Sequence, residues 1–410
     1  MKRWIRKALR RAHRIVERHV DFDETSRVTL LPDSGSASQR WALLSYVIEP
    51  FLLEPGTPVP NSHTNQWESL QMARTLVELG YGVDVISYRN TTFIPHRKYE
   101  LFIGARTNFE RLAGELPLEC IKVAHLDTAH WLVNNANAYA RALAIKDRSG
   151  KVVDLPRKVV EPNWAIESAD YATVLGNEFT VSSYRYAGKP IHRLPLPACQ
   201  TFDWSADKDF KESKRRFVWF GSDGLVHKGL DLALEAFAGM PEYELLVCGP
   251  VAEDRRFVEA YHRELYELPN IHTAGWVDIG GEEFRKIRDS SLAVVYPSCS
   301  EGGGGSVITC MQAGLIPVVT VGASVDVDPS FGVTLRGDSV EEIRSAVRRL
   351  AGRPAGELQA MAYQSWCTAR KFYTRERYST TFRQVIEGIL KRHRNPFVTP
   401  PKERVTQLAD

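Results

Sequence analysis

A glycine-rich loop between two short apolar segments constrains the fold of this chain most strongly. Residues 300–320 read SEGGGGSVITCMQAGLIPVVT. The apolar segments, residues 292–296 before the loop and 315–321 after it, are typical of strands buried on both faces of a parallel sheet. Between them, Ser306 is a predicted N-cap and Gly314 a predicted C′ residue, which indicates a helix. The stretch therefore predicts a strand, a glycine loop, a helix and a second strand.

The loop has the chemistry of an anion site. Glycines before a helix N-terminus let backbone N–H groups approach a ligand, and the helix dipole favours a phosphate or diphosphate. Glu301 is unfavourable beside such an anion unless it has another task, and hydrogen bonding to the hydroxyls of an attached sugar is such a task. A flexible linker is the alternative, disfavoured here because the loop lies between two predicted buried strands. The residues predicted to bind the diphosphate are Gly303, Gly304, Gly305 and Ser306.

Length and composition indicate a globular protein with two domains. The chain has 410 residues, of which 43% are hydrophobic and 25% charged. No apolar stretch is long enough to span a bilayer, and the N-terminus lacks the apolar core of a signal peptide. The six cysteines form no C-x-x-C pair, so neither a disulfide framework nor a zinc site is indicated. We expect a cytoplasmic protein with reduced thiols.

Positive charge is concentrated at the N-terminus. The net charge is +3, yet the first twenty residues carry eight lysines or arginines and one glutamate. The rest of the chain is therefore slightly acidic, which argues against nucleic-acid binding. Residues 2–18 have the pattern of a basic amphipathic helix. Two interpretations stay open: peripheral contact with the inner face of the membrane, or a solvated helix or frayed tail.

Strands alternate with helices along both halves, which predicts an α/β protein with a doubly wound parallel sheet in each half. Asn65 and Glu68 resemble a capping box that opens a helix. The predicted segments are a basic N-terminal segment (1–26), a first Rossmann-like domain (27–200), a second one (214–372), a C-terminal helix (373–394) and a tail (395–410). The predicted strands are residues 41–48, 83–87, 100–104, 121–126, 171–175, 191–194, 217–221, 245–248 and 271–273, besides the two above.

Residues 300–320 resemble the donor-binding motif of glycosyltransferase family 4, a family of retaining enzymes with the GT-B fold. Glu301 matches the first glutamate of that motif, and AGLIPVV from Ala313 matches its trailing part. The second glutamate is replaced by Thr309. The resemblance implies the GT-B fold: two Rossmann-like domains facing across a cleft, with the last helix crossing back to the first domain.

The resemblance also implies which basic groups bind the donor diphosphate. Relatives carry Gly-Arg after the strand that opens the second domain and Lys-Gly a few residues later. Here Gly221-Ser222 lacks the arginine, while Lys228 keeps the lysine. A surface lysine is the alternative for Lys228, although its charge would then oppose the helix dipole. His227 or Arg215 could replace the missing arginine.

Other site residues follow from the same resemblance. Trp276 and Val277 match the turn that meets the nucleobase. Either His125 or His130 is implied to face the reacting sugar as a catalytic residue. For Thr309 we favour one hydrogen bond to the ribose, with a bond back to a helix carbonyl as the alternative.

The expected function is transfer of a sugar, with retention, from a nucleoside-diphosphate sugar to an acceptor that the sequence does not name: a glycan, a lipid-linked molecule or a small molecule. Glu301 and Lys228 are its expected catalytic residues. The alternatives are a GT-B epimerase or phosphorylase, or a catalytically silent protein that binds nucleotide sugars. No cofactor and no metal are expected. The D-x-D formed by Asp326 and Asp328 is too common a pattern to indicate a metal site.

Overall fold

The computed structural model describes residues 25–32, 40–54, 56–155 and 158–394. The predicted basic helix of residues 2–18 and the tail 395–410 lie outside these residues. In the described part, no helix has both the length and the apolar character that crossing a bilayer requires.

The first domain is built on a seven-stranded sheet in the described part of the chain. Its strand order is β1-β3-β2-β4-β5-β6-β7. Strands β2 to β7 are parallel to their neighbours, and β1 pairs antiparallel with β3 at the edge. The strands are β1 (Arg27–Leu30), β2 (Trp41–Tyr46), β3 (Gly82–Ser87), β4 (Tyr99–Gly104), β5 (Ile121–Leu126), β6 (Tyr171–Leu175) and β7 (Ile191–Leu194).

Helices cover this sheet and connect its parallel strands. They are α1 (Thr64–Glu78), α2 (Thr107–Glu115), α3 (Trp131–Ser149) and the short α4 (Glu178–Ser182). The predicted capping box at Asn65 is wrong by two residues. His63 is the N-cap, with extended backbone, and its ring accepts a hydrogen bond from the Asn65 amide. The predicted partner of that box, Glu68, is instead a buried residue inside the helix.

The second domain has a six-stranded, fully parallel sheet in the order β10-β9-β8-β11-β12-β13. The strands are β8 (Arg216–Phe220), β9 (Glu244–Cys248), β10 (Ile271–Gly275), β11 (Ala293–Tyr296), β12 (Ile316–Thr320) and β13 (Val333–Leu335). The helices are α5 (Phe210–Ser213), α6 (Leu230–Ala238), α7 (Arg255–Ala260), α8 (His262–Tyr266), α9 (Glu282–Ser290), α10 (Gly305–Gln312), α11 (Val340–Ala351), α12 (Ala355–Phe372) and α13 (Arg375–Arg394). Strands β11 and β12 are buried throughout, as their apolar sequences predict.

The chain passes between the domains twice, and the two passages contact each other. The Ala198 amide donates to the Tyr373 carbonyl at 3.3 Å, and Arg375 donates to the Cys199 carbonyl at 3.1 Å. Beyond the second passage, α13 packs on α1 of the first domain. There the ring of Tyr378 meets that of Trp67 edge-on, with 5.7 Å between centroids.

The carboxyl ends of the two sheets face each other. Gly302, after β11, packs so closely on the backbone of Asp127, after β5, that a side-chain carbon at Gly302 would overlap the Asp127 carbonyl. Nearby, Asn137 of α3 donates to the Cys299 carbonyl at 3.1 Å, and Arg141 donates to the Pro297 carbonyl at 3.0 Å. Ligands of open α/β sheets bind at such carboxyl edges, so the functional site is expected between the domains.

Candidate functional site

Glu301 lies at the centre of a buried polar cluster after β11. Its Oε1 accepts hydrogen bonds from Lys228 Nζ at 2.8 Å, from Ser298 Oγ at 3.1 Å and from Tyr296 Oη at 3.1 Å. The side chains of Lys228 and Glu301 are 5% and 14% exposed. The Lys228 ammonium group therefore stabilises the Glu301 carboxylate beside the predicted anion-binding loop. A contact with a sugar is thus not the only physical reason for a carboxylate at this position.

The charges of this pair fix its protonation. Burial alone would raise the pKa of Glu301, but the positive charges of Lys228 and Lys158 outweigh burial and hold that pKa far below its ordinary value. Burial would likewise lower the pKa of Lys228, and Glu301 instead raises it well above the ordinary value. Glu301 is thus an anion and Lys228 a cation at every physiological pH.

The glycine loop brings the backbone to the start of α10. Gly304, with a φ of 59°, is the N-cap, and the helix begins at Gly305. The predicted N-cap at Ser306 is therefore wrong by two residues, whereas Gly314 follows the helix with a φ of 73°, as predicted. A side-chain carbon at Gly304 would overlap Ala323 and Val325, so only glycine fits. The first N–H groups of α10 have no partner within the helix and remain available to a ligand.

Lys158 is a residue that sequence reasoning did not assign to the site. It follows α3 of the first domain, and its carbonyl accepts a hydrogen bond from Asn134 at 2.7 Å. Its side chain packs on Gly224 of the second domain. The charge of Lys228, together with burial, lowers the pKa of Lys158 to about 8. Residues 151–158 contain three basic residues, and nothing local in the sequence indicates where Lys158 packs.

The two predicted histidines are enclosed. His125 is 1% exposed; its Nδ1 lies 3.0 Å from Thr173 Oγ1, and burial lowers its pKa to about 4. His130 is the N-cap of α3, and its Nε2 lies 3.0 Å from the hydroxyl of Tyr186. Both imidazoles are thus held by neighbours within the first domain, and the contact of either one with the reacting sugar stays a prediction.

A third histidine, His63, faces the charged groups of the cleft. Partial desolvation and the positive charges of Lys158 and Lys228 lower its pKa. Arg106 and Asp127 also act on it, and these two form an ion pair at 2.7 Å. Arg106 has a φ of 60°, a strained conformation for a residue with a side chain. The proline-rich loop that carries His63 gave no motif from which this placement could be predicted.

Two pairs of predicted donor-binding residues lie at strand ends of the second sheet: Trp276 and Val277, predicted to meet the nucleobase, and Gly221 and Ser222, which match the diphosphate-binding position of relatives. Trp276 directly follows β10 and is 49% exposed, whereas Val277 is buried. Gly221 follows β8, and its amide donates to the Cys248 carbonyl at 2.9 Å. The next residue, Ser222, is partly buried. An exposed indole at this edge is free to stack on a base, and that role stays a prediction.

Thr309 requires a correction. Its Oγ1 donates to the Gly305 carbonyl at 2.9 Å, one turn earlier in α10, and the residue is only 7% exposed. This is the local bond that threonine commonly makes inside helices. The structure therefore favours the alternative in which the hydroxyl contacts the helix and not the ribose.

The D-x-D residues have other partners. Asp326 forms an ion pair with Arg193 of the first domain at 2.6 Å, and Asp328 accepts from the Ser330 amide at 2.8 Å. Among the residues that the structure describes, no group of three histidine, cysteine or acidic side chains could hold a metal ion.

Comparison with known proteins bears on the second domain and on the fold. Residues 214–353 match the family model described as glycosyl transferases group 1. The second domain is a group 1 glycosyltransferase domain. The more specific assignment to family 4 stays a prediction. None of the curated protein sequences matches this chain significantly.

Solved structures of similar shape cover nearly the whole chain. Sucrose-phosphate synthase from Thermosynechococcus elongatus superimposes with a TM-score of 0.61 at 15% identity, over 86% of this chain and 99% of that one. A glycosyltransferase from Rickettsia africae gives 0.54 at 11% identity, over 87% and 99%. HepE from Anabaena, solved with UDP and glucose, gives 0.50 at 12% identity, over 86% and 99%. The expected GT-B fold is confirmed for this chain, in which residues 214–353 match the group 1 model.

Proposed function

We propose that this protein is a retaining glycosyltransferase that moves a sugar from a nucleoside-diphosphate sugar to an acceptor in the cleft between its domains. The observation that carries the proposal is the buried Glu301–Lys228 pair, at 2.8 Å, beside the glycine loop that opens α10. It places an ammonium group, free helix N–H groups and a permanent carboxylate at one edge of the cleft.

Each part of this arrangement has a task in the transfer. Negative charge grows on the departing diphosphate as its bond to the anomeric carbon breaks, and Lys228 with the first turn of α10 would stabilise that charge. The low pKa of Glu301 means that it cannot donate a proton to the leaving group. Its role is to accept hydrogen bonds from the sugar hydroxyls and so to orient the sugar.

Retention follows from the resemblance of this stretch to retaining enzymes. The acceptor oxygen would bond to the face of the anomeric carbon from which the diphosphate leaves. The acceptor's proton would pass to the departing diphosphate oxygen, because Glu301 is already paired with Lys228. No cofactor and no metal enter these steps, and unchanged turnover in excess chelator is the expected result.

The donor is proposed to be a uridine or other nucleoside-diphosphate sugar, and UDP-glucose is the first to test because HepE was solved with UDP and glucose. A panel of nucleotide sugars is incubated with the protein, and release of the nucleoside diphosphate is measured with and without glycan, lipid-linked and small-molecule acceptors. Release that depends on Lys228 supports a transferase. Replacement by Lys228→Met should abolish it, whereas Lys146→Met, an exposed site on α3, should not.

A silent nucleotide-sugar-binding protein is the second candidate. Ser222 in place of an arginine and the internal hydrogen bond of Thr309 both remove donor contacts that the resemblance implies. Tight binding of a donor with no release of nucleoside diphosphate toward any acceptor would favour this candidate. Interconversion of the sugar without release would favour an epimerase, and release that requires inorganic phosphate would favour a phosphorylase.

Peripheral membrane contact through residues 2–18 stays a proposal from the sequence. Each lysine or arginine near an anionic surface contributes up to about 1 kcal/mol. Deleting residues 1–20 should reduce sedimentation with anionic vesicles at low salt and leave the release assay unchanged. Equal sedimentation of the two proteins would contradict the proposal.

A further inference from the structure

The charges of two lysines, Lys228 and Lys158, act on one carboxylate in the cleft, that of Glu301. Lys228 bonds directly to Glu301 at 2.8 Å. Lys158 approaches from the other domain, and the charge of Lys228 is the largest influence on its protonation. Among the described residues, no carboxylate lies within ion-pairing distance of the Lys158 ammonium. The cluster therefore holds more positive charge than it neutralises.

The other titratable groups around Lys158 do not remove this excess. Glu301 is already paired, and the charge of Asp223 has the smallest influence of those that act on the protonation of Lys158. The nearby imidazoles are His227 and His63, and both have lowered pKa values, that of His227 to about 4. They are neutral near pH 7, so they neither add to the excess nor relieve it.

Contacts of both its backbone and its side chain nevertheless fix the position of Lys158. Asn134 holds its backbone through the 2.7 Å hydrogen bond to its carbonyl. The stem of the side chain fills the space beside Gly224, whose φ of 82° is strained for any residue with a side chain. A side-chain carbon at Gly224 would overlap the Lys158 stem. The loop after β8 thus makes room for a lysine that comes from the opposite domain.

A partly desolvated pair of like charges is costly unless an anion joins it. The loop that accommodates Lys158 is the same loop in which relatives place their second diphosphate-binding cation, and Ser222 stands at that position here. We infer that Lys158 of the first domain binds the diphosphate of the donor together with Lys228, in place of the arginine missing at Ser222. The inference rests on the proposed function and deepens it: the donor site is completed by residues of both domains.

The direct test is calorimetric binding of UDP, GDP and ADP, each beside its nucleoside, to the full-length protein and to Lys158→Met. Lys158→Met should bind the preferred nucleoside diphosphate about tenfold to a hundredfold more weakly, as loss of one charged contact implies, and the nucleoside equally well. The matched control, Lys146→Met, removes an exposed lysine of the same domain and should bind like the wild type. Lys158→Arg, which keeps the charge, should restore much of the affinity.

A second readout is the pH dependence of binding, measured first on the wild type. The pKa of Lys158 is about 8 in the free protein, and a bound diphosphate must raise it. Wild-type affinity should therefore fall as pH rises above 8, with uptake of a proton on binding, measurable by calorimetry in two buffers of different ionisation enthalpy. Lys158→Met should lose this proton uptake. It should also melt no lower than the wild type without ligand, because a repulsive charge has been removed.

The outcomes separate the two claims. A wild-type protein that binds no nucleoside diphosphate overturns the proposed function itself. A wild-type protein that binds one, with Lys158→Met equal to it in affinity and in proton uptake, overturns the role of Lys158 and leaves the proposed function standing. Equal weakening of nucleoside and nucleoside diphosphate would show a structural role and would also overturn the inference.

Discussion

Replacing Glu301 with glutamine separates its role toward the sugar from its role toward Lys228. The change keeps the size of the side chain and removes one charge. The amide oxygen can still accept from Ser298 and Tyr296, which now lie 3.1 Å from Oε1. The charge that balances Lys228 is lost.

The structural cost follows from burial. With side-chain exposures of 14% and 5% for Glu301 and Lys228, breaking the pair leaves a buried ammonium without a counter-charge, which costs about 3–5 kcal/mol. For a domain of this size, that corresponds to a fall in melting temperature of roughly 6–20 °C. The double variant Glu301→Gln/Lys228→Met removes both charges and should recover much of the loss.

The pH dependence of this cost has a definite sign. Lys228 and Lys158 hold the pKa of Glu301 below its ordinary value of 4.5. The pair therefore contributes its full stability above about pH 4.5, and the contribution is lost as pH falls below that value. The stability difference between the wild type and Glu301→Gln should shrink between pH 5 and pH 3.

The functional effect should differ between ligand and reaction. Without the carboxylate, the cluster is more positive, so free nucleoside diphosphate should bind equally well or up to about tenfold more tightly, a difference of roughly 1.4 kcal/mol. Transfer from the nucleotide sugar should fall by about a hundredfold to a thousandfold, because the sugar loses the charged acceptor that orients it. Opposite changes in binding and in turnover are the signature of the proposed role.

The assay combines calorimetry of the nucleoside diphosphate with release measurements, both at a temperature well below the melting point of the variant. Glu259→Gln is a matched control, since Glu259 is exposed and forms an ion pair with Arg255 on the same helix. Transfer by Glu301→Gln within a few-fold of the wild type would refute the role of the carboxylate. A parallel loss of nucleoside-diphosphate affinity and transfer would refute the separation of sugar and diphosphate contacts.

Three further predictions concern other parts of the site and the linker. Thr309→Val should change nucleoside-diphosphate affinity by less than about threefold by calorimetry, because the hydroxyl bonds to Gly305; a hundredfold loss would restore the ribose role. Gly302→Ala should block the close approach of Gly302 to Asp127. Transfer should then fall and the radius of gyration in X-ray scattering should rise, with little change in melting temperature. Unchanged transfer would contradict the contact. Lys208→Met should raise stability by about 2–4 kcal/mol below pH 7, since burial without a hydrogen-bond partner lowers the pKa of Lys208 to about 7 from 10.5. That advantage should shrink between pH 7 and pH 10.5 in urea unfolding, and an unchanged or reduced stability at pH 6 would contradict it.

Short-range patterns were sufficient to predict most of the framework. Buried strands such as β11 and β12 have continuous apolar sequences, and Gly314 marks the end of α10 because its backbone needs a positive φ. The edge strand β1 was missed, since its alternating half-exposed residues resemble a loop. The N-cap at His63 was missed because an imidazole seldom serves as a cap, and Asn65 two residues later is the commoner capping type.

The candidate site also contains residues that local patterns predict and residues that only tertiary packing brings together. Glu301 and Lys228 were found because each stands in a local motif beside a helix start. Lys158 could not be found from sequence, because it reaches Lys228 only after two domains pack together. For the histidines, the sequence predicted the position of His125 at the end of a strand but not its burial among the side chains of neighbouring elements, because burial depends on tertiary packing.

The paired passages between the domains determine how the cleft can open. A single flexible linker would let the domains rotate about any axis. Here the bonds between Ala198 and Tyr373 and between Arg375 and Cys199 join two passages side by side, and the packing of α13 on α1 fixes the second one to the first domain. These bonds restrict the relative motion of the domains and favour a rotation about the line of the two passages. Opening of the cleft about this line would have to break the contacts that join its walls, such as the hydrogen bonds from Asn137 to the Cys299 carbonyl and from Arg141 to the Pro297 carbonyl, while the two passages keep theirs.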